Sequence, residues 1–317
     1  LGEALGDAAY KYFRNNPAHI TESRLTCLSP LIGRACWQQL RGLIAPPQPT
    51  ACPDSPEAVL AWFRNEYLPY REWQERSGNQ QAHDRVLELA RQFAEWYLGF
   101  YPKALVASSA SSYLNFFKLK RSQKDDPYVT LLVVLDGLHA ADARTFLQKL
   151  QTKTGRLTER QNEVVFTAIP TVTEFAKEAL LKGVPPKDSA NVEYLGKIFP
   201  ERKTPLSCLD SATPGEIFIW RIQEPDSTYH SRNFDEMLET EVEGELLKVA
   251  DKLAEVAGQL SGQIPLRIIV TSDHGRLLAS SSRHVRVPDG MKAHGRAAWG
   301  HMQRDFPASG YIIDDNC

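Results

Sequence analysis

Side chains that can do chemistry follow the apolar runs of this sequence. A carboxylate, a pair of hydroxyls and two carboxylate–imidazole pairs each come after such a run; in chain order they are Asp136, Thr171 and Thr173, Asp226 and His230, and Asp273 and His274. Zn²⁺ and Mn²⁺ accept mixed Asp and His ligands. A hydroxyl bound to such an ion loses its proton more easily and becomes a usable nucleophile. The pattern therefore predicts two divalent ions and a hydroxyl nucleophile, which suit an in-line phosphoryl displacement.

Each of these groups also has a plain structural interpretation. Asp136 and the two threonines could be helix caps, and "DHG" at 273–275 could be an ordinary polar turn. Their combination favours a site, because ligands of open α/β sheets bind beyond the carboxyl ends of the strands. On that interpretation Gly275 lets the chain turn away tightly after two successive ligands.

The elements that would position these groups change in character near residue 124. Residues 1–123 are predicted to form a helical N-terminal region, and residues 124–317 alternate strands with helices. Strands are expected at "YVTLLVVLD", "NEVVFTAI", "EIFIWRIQ", "LRIIVTS" and "GYIID", and the helices between them include "TVTEFAKEALLKG", closed by Gly183. The alternation predicts an α/β fold with a mostly parallel sheet sandwiched by helices.

The composition limits the class of protein. The chain has 317 residues and a formal net charge of −2, so no global basic field points to nucleic acid. No apolar run reaches the roughly 20 residues of a membrane helix, and no membrane partner is expected. An odd number of scattered cysteines, 5 in all, predicts reduced thiols in a cytoplasmic protein. The first residue is Leu1, which favours a fragment of a longer chain.

The order of the motifs resembles the alkaline phosphatase superfamily and, more narrowly, the PglZ domain known from bacterial phage-defence systems of the BREX and Pgl type. The resemblance lies in "VVLDGLH", "PTVTEFAKEALLKG", "DSTYH" and "DHG" and runs from about Tyr128 onward, leaving the helical N-terminal region uncovered. It implies an alkaline-phosphatase-like fold and metal-dependent phosphoester hydrolysis. Other subunits of a defence system are implied as partners.

The resemblance also implies a role for each motif residue. Thr173 takes the position of the nucleophile and binds metal. One ion would be held by Asp136, Asp273 and His274, and the other by Asp226, His230 and a histidine near the C-terminus. Three histidines are candidates for that last ligand, His284, His294 and His301, and His294 in "KAHGRAAWG" is chosen for its glycine neighbour.

The expected activity is that of a two-metal phosphodiesterase acting on nucleotides or nucleic acid through a phosphothreonine intermediate. Zn²⁺ is the expected ion, with Mn²⁺ as the alternative. Arg144, Arg276 and His139 are candidates for substrate binding, and the shortage of further arginines favours a diester over a monoester. The rival hypotheses are a phosphomonoesterase or phosphomutase on the same site, and a scaffold subunit of a BREX-type complex in which catalysis is dispensable.

Overall fold

The computed structural model describes residues 2–101, 126–167, 169, 171–184, 186–199, 209, 211–231, 236–260, 265–275, 287, 289–294 and 297–300. The chain divides into two compact units, residues 1–100 and 101–317. The boundary predicted from the sequence, between residues 123 and 124, lies outside the described residues.

The first unit is built of helices, as the sequence predicts. Its α-helices are α1 Gly2–Asn15, α2 Glu22–Leu28, α3 Arg34–Arg41, α4 Pro56–Trp62, α5 Leu68–Ser77 and α6 Gln80–Phe100. The side chain of Ser55 accepts a hydrogen bond from the Ala58 amide at the start of α4, where Pro56 needs no partner for its nitrogen. Trp62 and Trp73 are buried in the core of this unit.

The second unit is built on a parallel sheet. Its strands are β1 Val129–Asp136, β2 Lys197–Phe199, β3 Ile217–Pro225 and β4 Leu266–Thr271, and they lie in the order β2-β3-β1-β4. β1 pairs in parallel with β3 on one side and β4 on the other. All eight residues of β1 are buried, so the strand predicted at "YVTLLVVLD" is confirmed.

Helices cover the sheet. The connecting helices are α7 Ala140–Lys153, α8 Thr173–Lys182, α9 Asp226–Ser231 and α10 Glu236–Leu260. Leu131, Val133 and Leu135 of β1 share a core with residues of α7 and α10. Successive side chains of a strand point to opposite faces, so Leu132 and Asp136 lie on the other face, and both are buried. Asp136 meets α8 on that face, through a contact described below.

The predicted sheet differs from the structure at two places. The sequence predicts a strand over residues 162–169, but only Phe166 forms a β-bridge among the described residues of that stretch. The first residues of the stretch, Asn162 and Glu163, are exposed, and β-forming side chains make a strand only where a neighbour completes the ladder. The edge beside β3 is taken by β2, whose three residues are too short to give a sequence signal. The expected strand "GYIID" lies outside the described residues.

A hairpin follows the sheet. It joins β5 Lys292–His294 to β6 Ala297–Trp299, and the two strands pair in antiparallel fashion. The ring of Trp299 meets Phe175 of α8 edge to face, with 5.1 Å between centroids. The hairpin therefore lies beside the first turn of α8.

Candidate metal centre

The carboxyl ends of three neighbouring strands bring polar side chains together. Asp136 ends β1, Asp226 begins α9 directly after β3, and Asp273 and His274 follow β4. Asp136, Asp226 and His274 each offer a ligand atom, and these atoms lie within 4.8 Å of one another. The sequence-based prediction that these strand ends converge is therefore confirmed for the three residues.

Four donor atoms of the centre lie close to one another. Nε2 of His274 lies 2.9 Å from Thr173 Oγ1, 3.2 Å from Asp136 Oδ1 and 3.8 Å from Asp273 Oδ2. Thr173 Oγ1 is 3.5 Å from Asp136 Oδ1. Ligand atoms around a tetrahedral Zn²⁺ with bonds near 2.0–2.1 Å stand about 3.3–3.5 Å apart. The donor atoms of Asp136, Thr173 and His274 come near this spacing, and Asp273 Oδ2 is the most distant of them from Nε2.

A buried oxygen of Asp273 gives independent support. The residue is 1% exposed, and its Oδ2 has no hydrogen-bond partner among the described residues. A carboxylate oxygen left without a partner in the interior costs free energy unless a cation or donor meets it. Its other oxygen accepts from the amides of His274, at 3.1 Å, and Gly137, at 3.4 Å, so the carboxylate is held with Oδ2 turned toward His274.

Ser272 ties the loops after β1 and β4 together. Its hydroxyl accepts from the Leu138 amide at 3.0 Å and donates to the His274 carbonyl at 2.6 Å. The imidazole is also fixed at its far side, because Nδ1 lies 2.8 Å from the carbonyl oxygen of Gly275. A proton on Nδ1 that bonds this carbonyl would direct the lone pair of Nε2 toward an ion.

The buried charges of the centre shift the pKa values of its own groups. Burial opposes the charge of His274, but the hydrogen bond to Asp136 and the charge of Asp273 raise its pKa to about 9. Burial and the charge of Asp136 raise the pKa of Asp273 to about 6. Burial would raise the pKa of Asp136 as well, yet hydrogen bonds from His274 and Lys177 keep it below its ordinary value. The carboxylates thus favour positive charge between them.

Gly137 determines where Asp226 can lie. Its φ is +72°, and a Cβ there would stand 3.0 Å from Asp226 Oδ1 and 3.1 Å from Asp226 Cβ. The register between β1 and β3 shifts at this point, so that Asp136 pairs with Pro225. Only glycine allows both the left-handed turn and the close approach of the Asp226 carboxylate.

Gly275, by contrast, shows no backbone feature that requires glycine. Its φ is outside the left-handed region, and no heavy atom of the described residues would lie within 4 Å of an added Cβ. The turn predicted after Gly275 involves residues 276–286, which lie outside the described residues, and it stays a prediction. The glycine that the geometry requires is Gly137.

Lys177 belongs to the centre and was missed from the sequence. Its side chain is 10% exposed, and Nζ donates to Asp136 Oδ2 at 2.6 Å. A usable signal exists in "TVTEFAK", because Thr173 and Lys177 are four residues apart and share one side of α8. The candidates for substrate binding that were predicted from the sequence, Arg144, Arg276 and His139, did not include this lysine.

Of the ligands predicted for the second ion, the structure describes the side chains of Asp226 and His230. His230 Nε2 lies 3.2 Å from Asp226 Oδ2, on the same side of α9, and its side chain is 67% exposed. His294 ends β5 in the hairpin beside α8 and pairs with Ala297. The rival candidates His284 and His301 lie outside the described residues.

The structure describes two of the three predicted substrate-binding residues. His139 is half-buried between β1 and α7, three residues after Asp136, and Arg144 is exposed in α7. Arg276 lies outside the described residues.

Comparison with protein-family models, with curated proteins and with solved structures gave no match. Within the described part of the chain, none of the helices combines the length and the apolar character needed to cross a membrane.

Proposed function

We propose that this chain is a metal-dependent phosphoester hydrolase, and specifically a phosphodiesterase in which Thr173 is the nucleophile. The observation that carries the proposal is the position of Thr173 Oγ1, 2.9 Å from His274 Nε2 and 3.5 Å from Asp136 Oδ1. A hydroxyl surrounded by candidate metal ligands, rather than by helix backbone alone, is placed for activation and not merely for capping.

Asp136, Asp273 and His274 would hold the ion next to Thr173. Zn²⁺ suits the spacing of these donors and the mixed set of carboxylate and imidazole, with Mn²⁺ as the alternative. When bound, such an ion supplies Lewis-acid activation of the hydroxyl and stabilises negative charge on the phosphoryl oxygens. Asp226, His230 and His294 are proposed for a second ion.

The chemistry of the chain itself follows from where Thr173 lies. Its oxygen forms the bond to phosphorus as the bond to the ester oxygen breaks, and the alcohol leaves. The resulting phosphothreonine is then hydrolysed by water, which restores the hydroxyl. Thr173 is the first residue of α8, so the positive end of the helix faces the phosphoryl group throughout.

The substrate class is part of the same proposal. The motif order resembles that of PglZ domains, which supports an alkaline-phosphatase-like fold, a nucleotide or nucleic-acid diester as substrate, a cytoplasmic setting and phage-defence subunits as partners. The preference for a diester was based on the shortage of arginines and did not consider Lys177, which is a buried cation of the candidate centre. The choice between a diester and a monoester therefore has to be made by assay.

The test compares p-nitrophenyl phosphate with its bis ester in the presence of Zn²⁺ or Mn²⁺. Thr173→Ala is expected to lower turnover on the order of 10³-fold while the protein still binds zinc. Thr173→Ser should retain part of the activity, and Thr152→Ala, at an exposed position in α7, should retain all of it.

Three outcomes would contradict the proposal. Activity in Thr173→Ala with its metal content intact would exclude this nucleophile. A preference of the wild type for the monoester would exclude the diesterase in favour of a monoesterase or mutase. Zinc bound without any hydrolysis of either ester would favour the scaffold hypothesis.

A further inference from the structure

Lys177 is a buried cation in the candidate centre. Lys177 is 8% exposed and Asp136 is 5% exposed, and Nζ of the lysine donates to Oδ2 of the aspartate at 2.6 Å. Burying an ammonium group is costly unless a counter-charge meets it, so the pair is stable only as a pair. A lysine whose role was only to cover the sheet could keep its ammonium in solvent, as long side chains usually do.

The two oxygens of Asp136 face different partners. Oδ1 is turned toward His274 Nε2, at 3.2 Å, and Thr173 Oγ1, at 3.5 Å. Oδ2 is held by Lys177. A carboxylate can bind two cations by offering one oxygen to each, and here one of those two positions is already filled by an ammonium.

The position of Lys177 on α8 keeps its ammonium group close to Asp136. The lysine lies one helical turn after Thr173, so the proposed nucleophile and the ammonium approach the same carboxylate from one helix. A metal ion can dissociate, whereas a side chain of the same helix stays at high effective concentration.

We propose that Lys177 is a built-in cation of the centre, which occupies Oδ2 of Asp136 so that this carboxylate binds a metal ion through Oδ1 alone. The inference rests on the proposed function, because it requires a divalent ion at Asp136. It makes Lys177 a positioning residue: it fixes which oxygen is offered, and its charge limits the affinity for the ion.

The test measures zinc binding in Lys177→Met and in a matched control, Lys182→Met. Lys182 is in the same helix, donates to the Ser189 carbonyl at 2.7 Å and pairs with Glu178 at 3.3 Å. In buffered Zn²⁺, Lys177→Met is expected to bind at least tenfold more tightly than the wild type, or to bind an additional ion. Lys182→Met should bind like the wild type.

A second readout does not depend on equal stability of the variants. A ligand that binds only the folded state stabilises it by RT ln(1 + [L]/Kd), so the rise in Tm at a fixed Zn²⁺ concentration reports Kd even in a weakened variant. The rise is expected to be larger in Lys177→Met than in the other two proteins. Lys177→Gln, which keeps an N–H donor without the charge, should behave in the same way.

The outcomes separate this inference from the proposed function. If the wild type binds zinc, His274→Ala abolishes that binding and Lys177→Met does not tighten it, the role of Lys177 is wrong and the metal centre stands. If neither the wild type nor Lys177→Met binds zinc, the proposed function fails. If both Lys177 variants stay unfolded in excess Zn²⁺, the inference is also wrong, because the ion is expected to replace the ammonium on Asp136.

Discussion

Gly137→Ala should disturb the centre without replacing any proposed ligand. The added methyl group meets two problems: a φ of +72°, and a Cβ position only 3.0 Å from Asp226 Oδ1. A left-handed backbone costs a residue other than glycine about 1–2 kcal/mol, and overpacking a rigid site adds about 1 kcal/mol or more. The free energy of unfolding should therefore fall by about 2–3 kcal/mol, which for a unit of this size lowers Tm by about 4–12 °C.

The carboxylate of Asp226 must shift to relieve the contact. We expect zinc affinity to fall about 10–100-fold, the usual effect of moving groups that orient metal ligands. Thermal unfolding without metal and a buffered zinc titration measure the two effects separately.

Two control variants separate the two causes. Gly78 has a φ of +64° with no atom within 4 Å of an added Cβ, so Gly78→Ala reports the backbone strain alone, in the first unit. Gly275→Ala meets neither problem and should change the free energy of unfolding by less than about 0.5 kcal/mol. If Gly137→Ala unfolds and binds zinc like the wild type, the argument that this glycine places Asp226 is refuted.

Three further predictions follow from buried contacts. Asp273→Asn removes a buried charge, so the free energy of unfolding of the metal-free protein should rise by about 1 kcal/mol, and zinc binding should weaken at least tenfold. A stable variant that still binds zinc like the wild type would exclude Asp273 as a ligand. A Cβ at Gly196 would lie 2.2 Å from the backbone oxygen of Ile217, so Gly196→Ala should destabilise the sheet by about 3 kcal/mol or more in denaturant titrations. Burial and, to a smaller extent, the charge of Asp54 raise the pKa of the Cys52 thiol to about 11. At pH 8 a thiol reagent should therefore modify the exposed Cys27 well before Cys52, and mass spectrometry of the labelled peptides measures the order.

The sequence was sufficient to predict the frame of the centre because strand ends are a strong constraint. An apolar run followed by a carboxylate, as at Asp136 and Asp273, marks both an element and the edge at which it ends. Parallel pairing of β1 with β3 and β4 then brings these ends together without further information. The same logic fails for residues 162–169, where a β-forming sequence has only one bridged residue in the described structure.

Details that depend on contacts between distant residues could not be predicted in this way. Composition gives no sign that Gly137 approaches Asp226, since that contact arises from a register shift between two strands that are far apart in the sequence. Gly275 stands next to the motif, and for that reason alone the sequence suggested it as the structural glycine. Proximity in sequence was a poorer guide than the backbone conformation that each glycine adopts.

Lys177 shows why the charges of a site have to be considered together. Asp136, Asp226 and Asp273 bring three carboxylates to one edge of the sheet. Lys177 and His274 both contact Asp136, and the pKa of His274 is raised to about 9 although burial opposes its charge. A solvated polar turn has no need of either cation. Negative charge concentrated around the Thr173 hydroxyl raises the free energy of the folded state. A divalent ion that completes the neutralisation would explain why the fold keeps this charge. The zinc affinity of Lys177→Met therefore tests both the metal centre and the role of Lys177 in it.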